Sequence, residues 1–152
     1  MKDITMRNIR ICSYAALTFC SIWLLLMVPH FVFLLGDKNI DWSINRLWKT
    51  GLIVMYMVSA VASVFLCLKI VLNVFKGLRE NTAFPKNNIG LLFWFALVFF
   101  IYLLCRANEQ AFYDEVMFKL LPDTFLIPFF ILFFAFMYKV AADAVEENNL
   151  TI

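Results

Sequence analysis

The sequence predicts an all-α integral membrane protein: one four-helix bundle over residues 1–152, with antiparallel up-down threading and both termini cytoplasmic. Three observations lead there. Hydrophobic residues make up 64% of the 152 residues and charged residues 16%, against roughly 25% charged in soluble domains. A water-soluble chain this small has too much surface for its volume to hide that apolar content. Second, the apolar residues gather into four uncharged runs, Ile11–Gly36, Thr50–Leu68, Asn87–Cys105 and Thr124–Tyr138; crossing a bilayer takes roughly 20 apolar residues. Third, lysines and arginines are unevenly divided about those runs. Lys2, Arg7, Arg10, Lys69, Lys76, Arg79, Lys86 and Lys139, eight in all, lie towards the ends and the central loop, against five at Lys38, Arg46, Lys49, Arg106 and Lys119. Such an excess marks the cytoplasmic side. The expected spans are 11–35, 51–74, 88–106 and 122–142, with an inner loop over 76–88 and an inner tail over 143–152.

The first run is too long for the apolar core of a secretory signal, and no small-residue cleavage site closes it. Leu17-Thr18-Phe19-Cys20 places bulky Phe19 where a lipoprotein box needs a small residue. Cys12, Ala16 and Cys20 recur every four residues and line one face. In lipid, small faces let backbones approach and gain dispersion energy, so this face is expected to pack on Ser59 and Ser63 of the second helix. His30 is the sole histidine. Imidazole titrates near neutrality, but no carboxylate stands near it in sequence, and it reads as an interfacial polar residue.

In the first loop, Ile40, Ile44, Leu47 and Trp48 recur at helical spacing. That predicts a short helix lying in the interface, with Asp41, Asn45 and Lys49 facing water. In the second helix Lys69 stands near the end of its run. A lysine at mid-membrane costs about 2.5–3.5 kcal/mol, whereas near the interface its stem carries the ammonium into the headgroups.

The central loop reads KGLRENTAFPKNN. Gly77 allows a turn as the second helix ends. Pro85 biases Phe84 towards an extended backbone, and Asn87 or Asn88 is suited to cap the third helix. Phe84 is a large apolar side chain in a polar turn, either tucked against the bundle or offered to a partner. The third helix is rich in aromatics and short for a bilayer. Beyond it, Glu109, Asp114, Glu115 and Asp123 surround Arg106 and Lys119; they lack the spacing of a calcium loop and read as a solvated face. Pro122 suits the first turn of the fourth helix, and Pro128 is expected to kink it. Phe125, Phe129, Phe133 and Phe136 form a stripe for lipid or packing. After Lys139 the helix is expected to enter water and end at Asn148-Asn149, leaving Leu150-Thr151-Ile152 as an apolar end that a partner could hold as an added strand.

No Ser/His/Asp, HExxH or Cys–His arrangement appears, so neither an enzyme nor a metal or other cofactor is expected. Cys12, Cys20, Cys67 and Cys105 sit in apolar runs without a CxxC pair, as small apolar fillers rather than disulfides or zinc ligands. A net charge of +2 is too weak to draw nucleic acid. The exposed pieces with unusual content are the inner loop, at Arg79, Glu80, Phe84, Lys86 and Asn87, and the tail, at Glu146, Glu147, Asn149, Leu150 and Ile152. They are the candidate partner-binding residues of a non-enzymatic regulatory or sensory membrane component. The alternatives are a transporter or channel subunit, or a protein binding a lipid or other apolar ligand. The lack of a mid-membrane carboxylate argues against transport.

Two stretches carry a family resemblance. LRENTAFPKNNIGLL over 78–92 is similar to the glycine-and-phenylalanine loop of the bacterial membrane family catalogued as domain of unknown function 2975. AADAVEENNLTI over 141–152 resembles that family's acidic close, usually Glu-Asn-Asp-Leu-Thr-Ile, with Asn149 standing where the acid is common. With the length and the four spans, the likeness covers nearly the whole chain. It implies a small four-helix protein of the bacterial cytoplasmic membrane with no established activity. By gene association it adds a small helix-turn-helix transcription regulator as a partner. Apart from the resemblance, the expected partners are the lipid bilayer and a second copy of the chain, with no direct nucleic-acid binding.

Overall fold

The computed structural model describes residues 2–40, 47–80, 84–113 and 119–150. Four helices hold nearly all of them: α1 (Lys2–Gly36), α2 (Leu47–Arg79), α3 (Asn87–Ala107) and α4 (Pro122–Leu150). A single-turn 3-10 helix, Glu109–Phe112, stands between α3 and α4, and no strand occurs among the described residues. Each of the four long helices contains a segment long and apolar enough to cross a membrane. Their outer faces carry large apolar side chains, among them Leu25, Phe33 and Phe129, each at least 69% exposed. Apolar surface this extensive marks contact with something other than water; lipid is its solvent, and the chain is a multi-pass membrane protein.

The helices are longer than the apolar runs. At 1.5 Å per residue, the 21 residues of α3 reach about 32 Å, close to the ~30 Å hydrocarbon core. The 35, 33 and 29 residues of α1, α2 and α4 overshoot it. The surplus is charged: Arg7 and Arg10 in α1, Lys76 and Arg79 in α2, Asp143, Glu146 and Glu147 in α4. This corrects the loop boundary. Lys76 to Arg79 continue α2 rather than open a turn, and Gly77 is a buried helical residue. The helix persists because Leu78 still has a core to enter, which outweighs the weak helix propensity of one glycine. At the far end α4 runs past Asn148-Asn149 to Leu150, and neither Pro29 nor Pro128 interrupts its helix. Trp48 and Lys49 belong to the first turns of α2 rather than to an interfacial helix; Asp41, Ile44 and Asn45 lie outside the described residues. Lys49, expected in water, is 1% exposed.

Close backbone approach follows chain order: α1 on α2, α2 on α3, α3 on α4. The array is therefore open, with α1 and α4 at its edges. Within the most apolar window of each helix, 33% of α2 is buried against 17% of α1 and of α4, which makes α2 central. The core lies among α1, α2 and α3, around Met27, Leu34, Ile53, Tyr56, Val64, Tyr102 and Phe112. Trp23 closes the α1–α3 gap with its ring 6.0 Å from Phe99 and 5.8 Å from Tyr102. Five serine and threonine hydroxyls within the spans are satisfied by their own helices, as a medium without water requires. Ser13, Thr18, Ser21 and Ser63 each donate to the carbonyl four residues back, and Ser59 to that of Tyr56, at 2.7–3.0 Å.

The small residues fall out differently along their helices. Cys20 is buried, with its thiol 3.1 Å from that of Cys67. Exposed Cys12 and half-buried Ala16 line a gap against Ile70, Val71 and Val74 of α2. Ser59 and Ser63, expected against this face, are instead buried nearer the start of α2 beside Ala60, because the antiparallel register set by Cys20 on Cys67 brings Cys12 and Ala16 opposite Ile70, Val71 and Val74.

Candidate functional site

Two polar assemblies stand at opposite ends of α2. The first joins the central connection to α4. Asn88, on the first turn of α3, is completely buried. Its side-chain nitrogen donates to the Ile70 carbonyl at 3.1 Å and to the Tyr138 hydroxyl at 3.5 Å, and its oxygen accepts from the Asn73 side chain at 2.8 Å. Tyr138 in turn donates to the Pro85 carbonyl at 3.2 Å. Asn88 thus ties three helices instead of capping one. The N-cap position belongs to Lys86, which makes no side-chain cap bond, and Asn87 is exposed. Phe84 tucks back, its ring edge-on to Tyr138 at 5.3 Å.

Outside this knot, Lys86 bonds to Glu146 and stands 4.0 Å from Asp143. The hydrogen bond that Lys86 donates to Glu146, reinforced by the charge of Glu146 and that of Asp143, raises the Lys86 ammonium above the usual lysine range. Among the expected partner-binding residues, Arg79, Glu80, Lys86, Asn87, Glu146 and Glu147 are all exposed. Ile152 and the side chains of Asn149 and Leu150 lie outside the described residues.

The second assembly was not legible as a unit in the sequence. His30 of α1 meets the Tyr56 hydroxyl of α2 at 3.2 Å, and its Nε2 stands 3.6 Å from Glu109 Oε1. The carboxylate missing from the sequence neighbourhood of His30 therefore arrives from 79 residues away. The Tyr56 and Tyr102 rings lie nearly parallel, with centroids 5.6 Å apart. Tyr102 accepts from Arg106 at 3.3 Å. These five residues form the polar side of a cavity of about 310 Å³, and Trp23, Leu26 and Met27 form its apolar wall.

The turn that presents Arg106 and Glu109 is held firmly. Asn108 is 3% exposed and donates to the Leu104 and Lys119 carbonyls at 2.8 and 3.0 Å, while the Lys119 N–H donates back to it at 2.6 Å. Phe112 is completely buried against Tyr56 and anchors the 3-10 turn. Glu109 is thus a placed residue rather than part of a solvated face. Just beyond, burial pushes the Tyr113 phenol up from its ordinary pKa, helped by the neighbouring Asp37 carboxylate. The available signal was the occurrence of His30, Tyr56 and Tyr102 within apolar runs, since polar groups in spans seek one another.

A third feature is apolar. A crevice of about 670 Å³ opens between α3 and α4, lined by Phe93, Leu97, Phe100, Phe125 and Phe129 among others. Among the described residues no group of three or more His, Cys, Asp or Glu side chains is placed to hold a metal. Comparison with protein-family models, curated proteins and solved structures finds no match, so the functional reading rests on the chemistry of these assemblies.

Proposed function

We propose that the chain is a non-enzymatic regulatory or sensory component of the bacterial cytoplasmic membrane. It would be threaded up and down with both termini inside, and dock a cytoplasmic partner on its inner face. The observation that carries this reading is the bond from Lys86 to Glu146. It joins the central connection to the end of α4, making one composite surface of two pieces far apart in sequence. Arg79 and Asn87 extend that surface. The threading is supported by paired contacts: Tyr14 with Phe75, Cys20 with Cys67 and His30 with Tyr56 run in opposite senses along α1 and α2. The charged overhangs of α1, α2 and α4 agree with it. A small helix-turn-helix regulator is the partner that the likeness to the family of domain of unknown function 2975 suggests. The test is a pull-down from detergent extracts with the full chain, a Lys86→Ala variant and a chain lacking 146–152. A partner retained equally by all three refutes the composite surface, and a reporter at residue 152 active only outside the cell refutes the threading.

The α3–α4 crevice supports a second reading, binding of a lipid or other apolar molecule. Native mass spectrometry of the detergent-purified protein tests it: Ala96 of α3 also lines the crevice, so a retained apolar ligand lost on Ala96→Phe supports the reading, and a bare chain refutes it.

A further inference from the structure

The cavity at the His30 end holds two opposite charges that do not neutralise each other. Arg106 and Glu109 are three residues apart and line the same space, yet no ion pair joins them among the described residues. Arg106 is engaged by the Tyr102 hydroxyl and Glu109 faces His30. A guanidinium has five donors, always charged, and one bond to a phenol leaves most of them for an acceptor. The Asn108 clamp and the buried Phe112 fix the backbone that carries the two charges.

From this separation we infer that the cavity binds a small zwitterion, with an anionic group beside an ammonium and a short apolar body. The anion lies on Arg106 and the Tyr102 hydroxyl, since guanidinium pairs a carboxylate with two parallel bonds. The ammonium lies on Glu109, with the aromatic faces of Tyr56 and Trp23 adding cation–π attraction. The apolar body meets Leu26 and Met27. A lone carboxylate would gain Arg106 but face the repulsion of Glu109; a lone amine would meet the reverse. Discrimination arises because either half-ligand leaves one charge of the site unpaired. The volume, at the small end of ligand cavities, restricts the body to a few carbons. Two sources supply this chemistry, a free apolar α-amino acid or the headgroup of phosphatidylethanolamine. The inference does not depend on the docking surface at the other end.

The experiment is isothermal titration calorimetry on the full chain in phosphatidylglycerol nanodiscs, with three probes sharing one skeleton: leucine, 4-methylpentanoate and 3-methylbutylamine. Leucine is expected to bind about tenfold tighter than either half, the charge-assisted bond that each half forfeits corresponding to about that factor. Arg106→Gln removes the advantage over the amine and Glu109→Gln the advantage over the acid, while Glu109→Asp restores the latter. The helical circular dichroism of each variant distinguishes lost binding from lost folding. Repeating the titration in phosphatidylethanolamine nanodiscs separates the sources: weakened leucine binding assigns the site to the headgroup, unchanged binding to the free amino acid. No heat with leucine, or equal affinity for leucine and 4-methylpentanoate, overturns the inference.

Discussion

Replacing Asn88 with alanine removes a buried side chain that bonds to α2 and α4 at once. Three hydrogen bonds are lost, at 2.8, 3.1 and 3.5 Å. In water-soluble proteins each is worth about 0.5–1.5 kcal/mol, but between membrane helices the measured mean is nearer 0.6, because the unfolded helix also finds partners in lipid. Two good bonds and one long one then give about 1–2 kcal/mol. The groups left behind moderate the loss. The Ile70 carbonyl sits within α2, and Tyr138 keeps Pro85; only the Asn73 amide is orphaned. Unfolding in mixed micelles of mild detergent and sodium dodecyl sulfate, followed by circular dichroism, measures the difference. Asn73→Ala is expected to cost less, with a coupling to Asn88→Ala of about 0.6 kcal/mol in a double-mutant cycle. Exposed Asn87→Ala should stay within about 0.5 kcal/mol of the parent. If Asn87→Ala proved costlier than Asn88→Ala, the knot would be wrong and the capping role right.

Three further outcomes follow from features away from the knot. Lys49 is fully buried, its ammonium without a hydrogen-bond partner and 5.6 Å from the Trp48 ring centre; Lys49→Met is expected to leave the mixed-micelle midpoint unchanged or raise it, because an unpaired buried charge is costly, and a lowered midpoint would refute this. Copper-catalysed oxidation should join Cys20 to Cys67, leaving two of four cysteines open to maleimide after denaturation, Cys12 and Cys105; four reactive thiols would contradict the register of α1 on α2. Lys86→Ala should speed cleavage at Glu146 by a glutamate-specific protease. Because the Lys86 pKa is raised in the folded state, its contribution is complete below the ordinary lysine value of about 10.4 and disappears only as pH rises through the higher folded value. Cleavage of the parent should therefore show no Lys86-dependent change between about pH 6 and 9, and a step in that window would contradict the assignment.

The four helices were legible because lipid imposes a length and a polarity that a one-dimensional pattern can carry. The ends were less so: hydropathy stops at Leu68, whereas α2 persists to Arg79 on the packing of Val71 and Leu78. Polar residues with distant partners were read as surface. Asn88 looked like a cap because it follows Pro85; its true partners, Asn73 and Tyr138, stand 15 and 50 residues away. His30 looked solitary because Glu109 reaches it only after two helices have crossed between them. Lys49 looked wet because period alone cannot say which face of a first turn meets the core.

The open order of the helices bears on how the chain is made. Every span docks against the one synthesised just before it, so each finds its neighbour already in the bilayer as it leaves the ribosome. Assembly needs no late closure of backbone contacts between the first and last segments, and contacts between chain neighbours cost less loop-closure entropy than contacts between the ends. A ribosome-stalled fragment ending after α3 should already hold the Tyr56–Tyr102 stack, before the final segment exists.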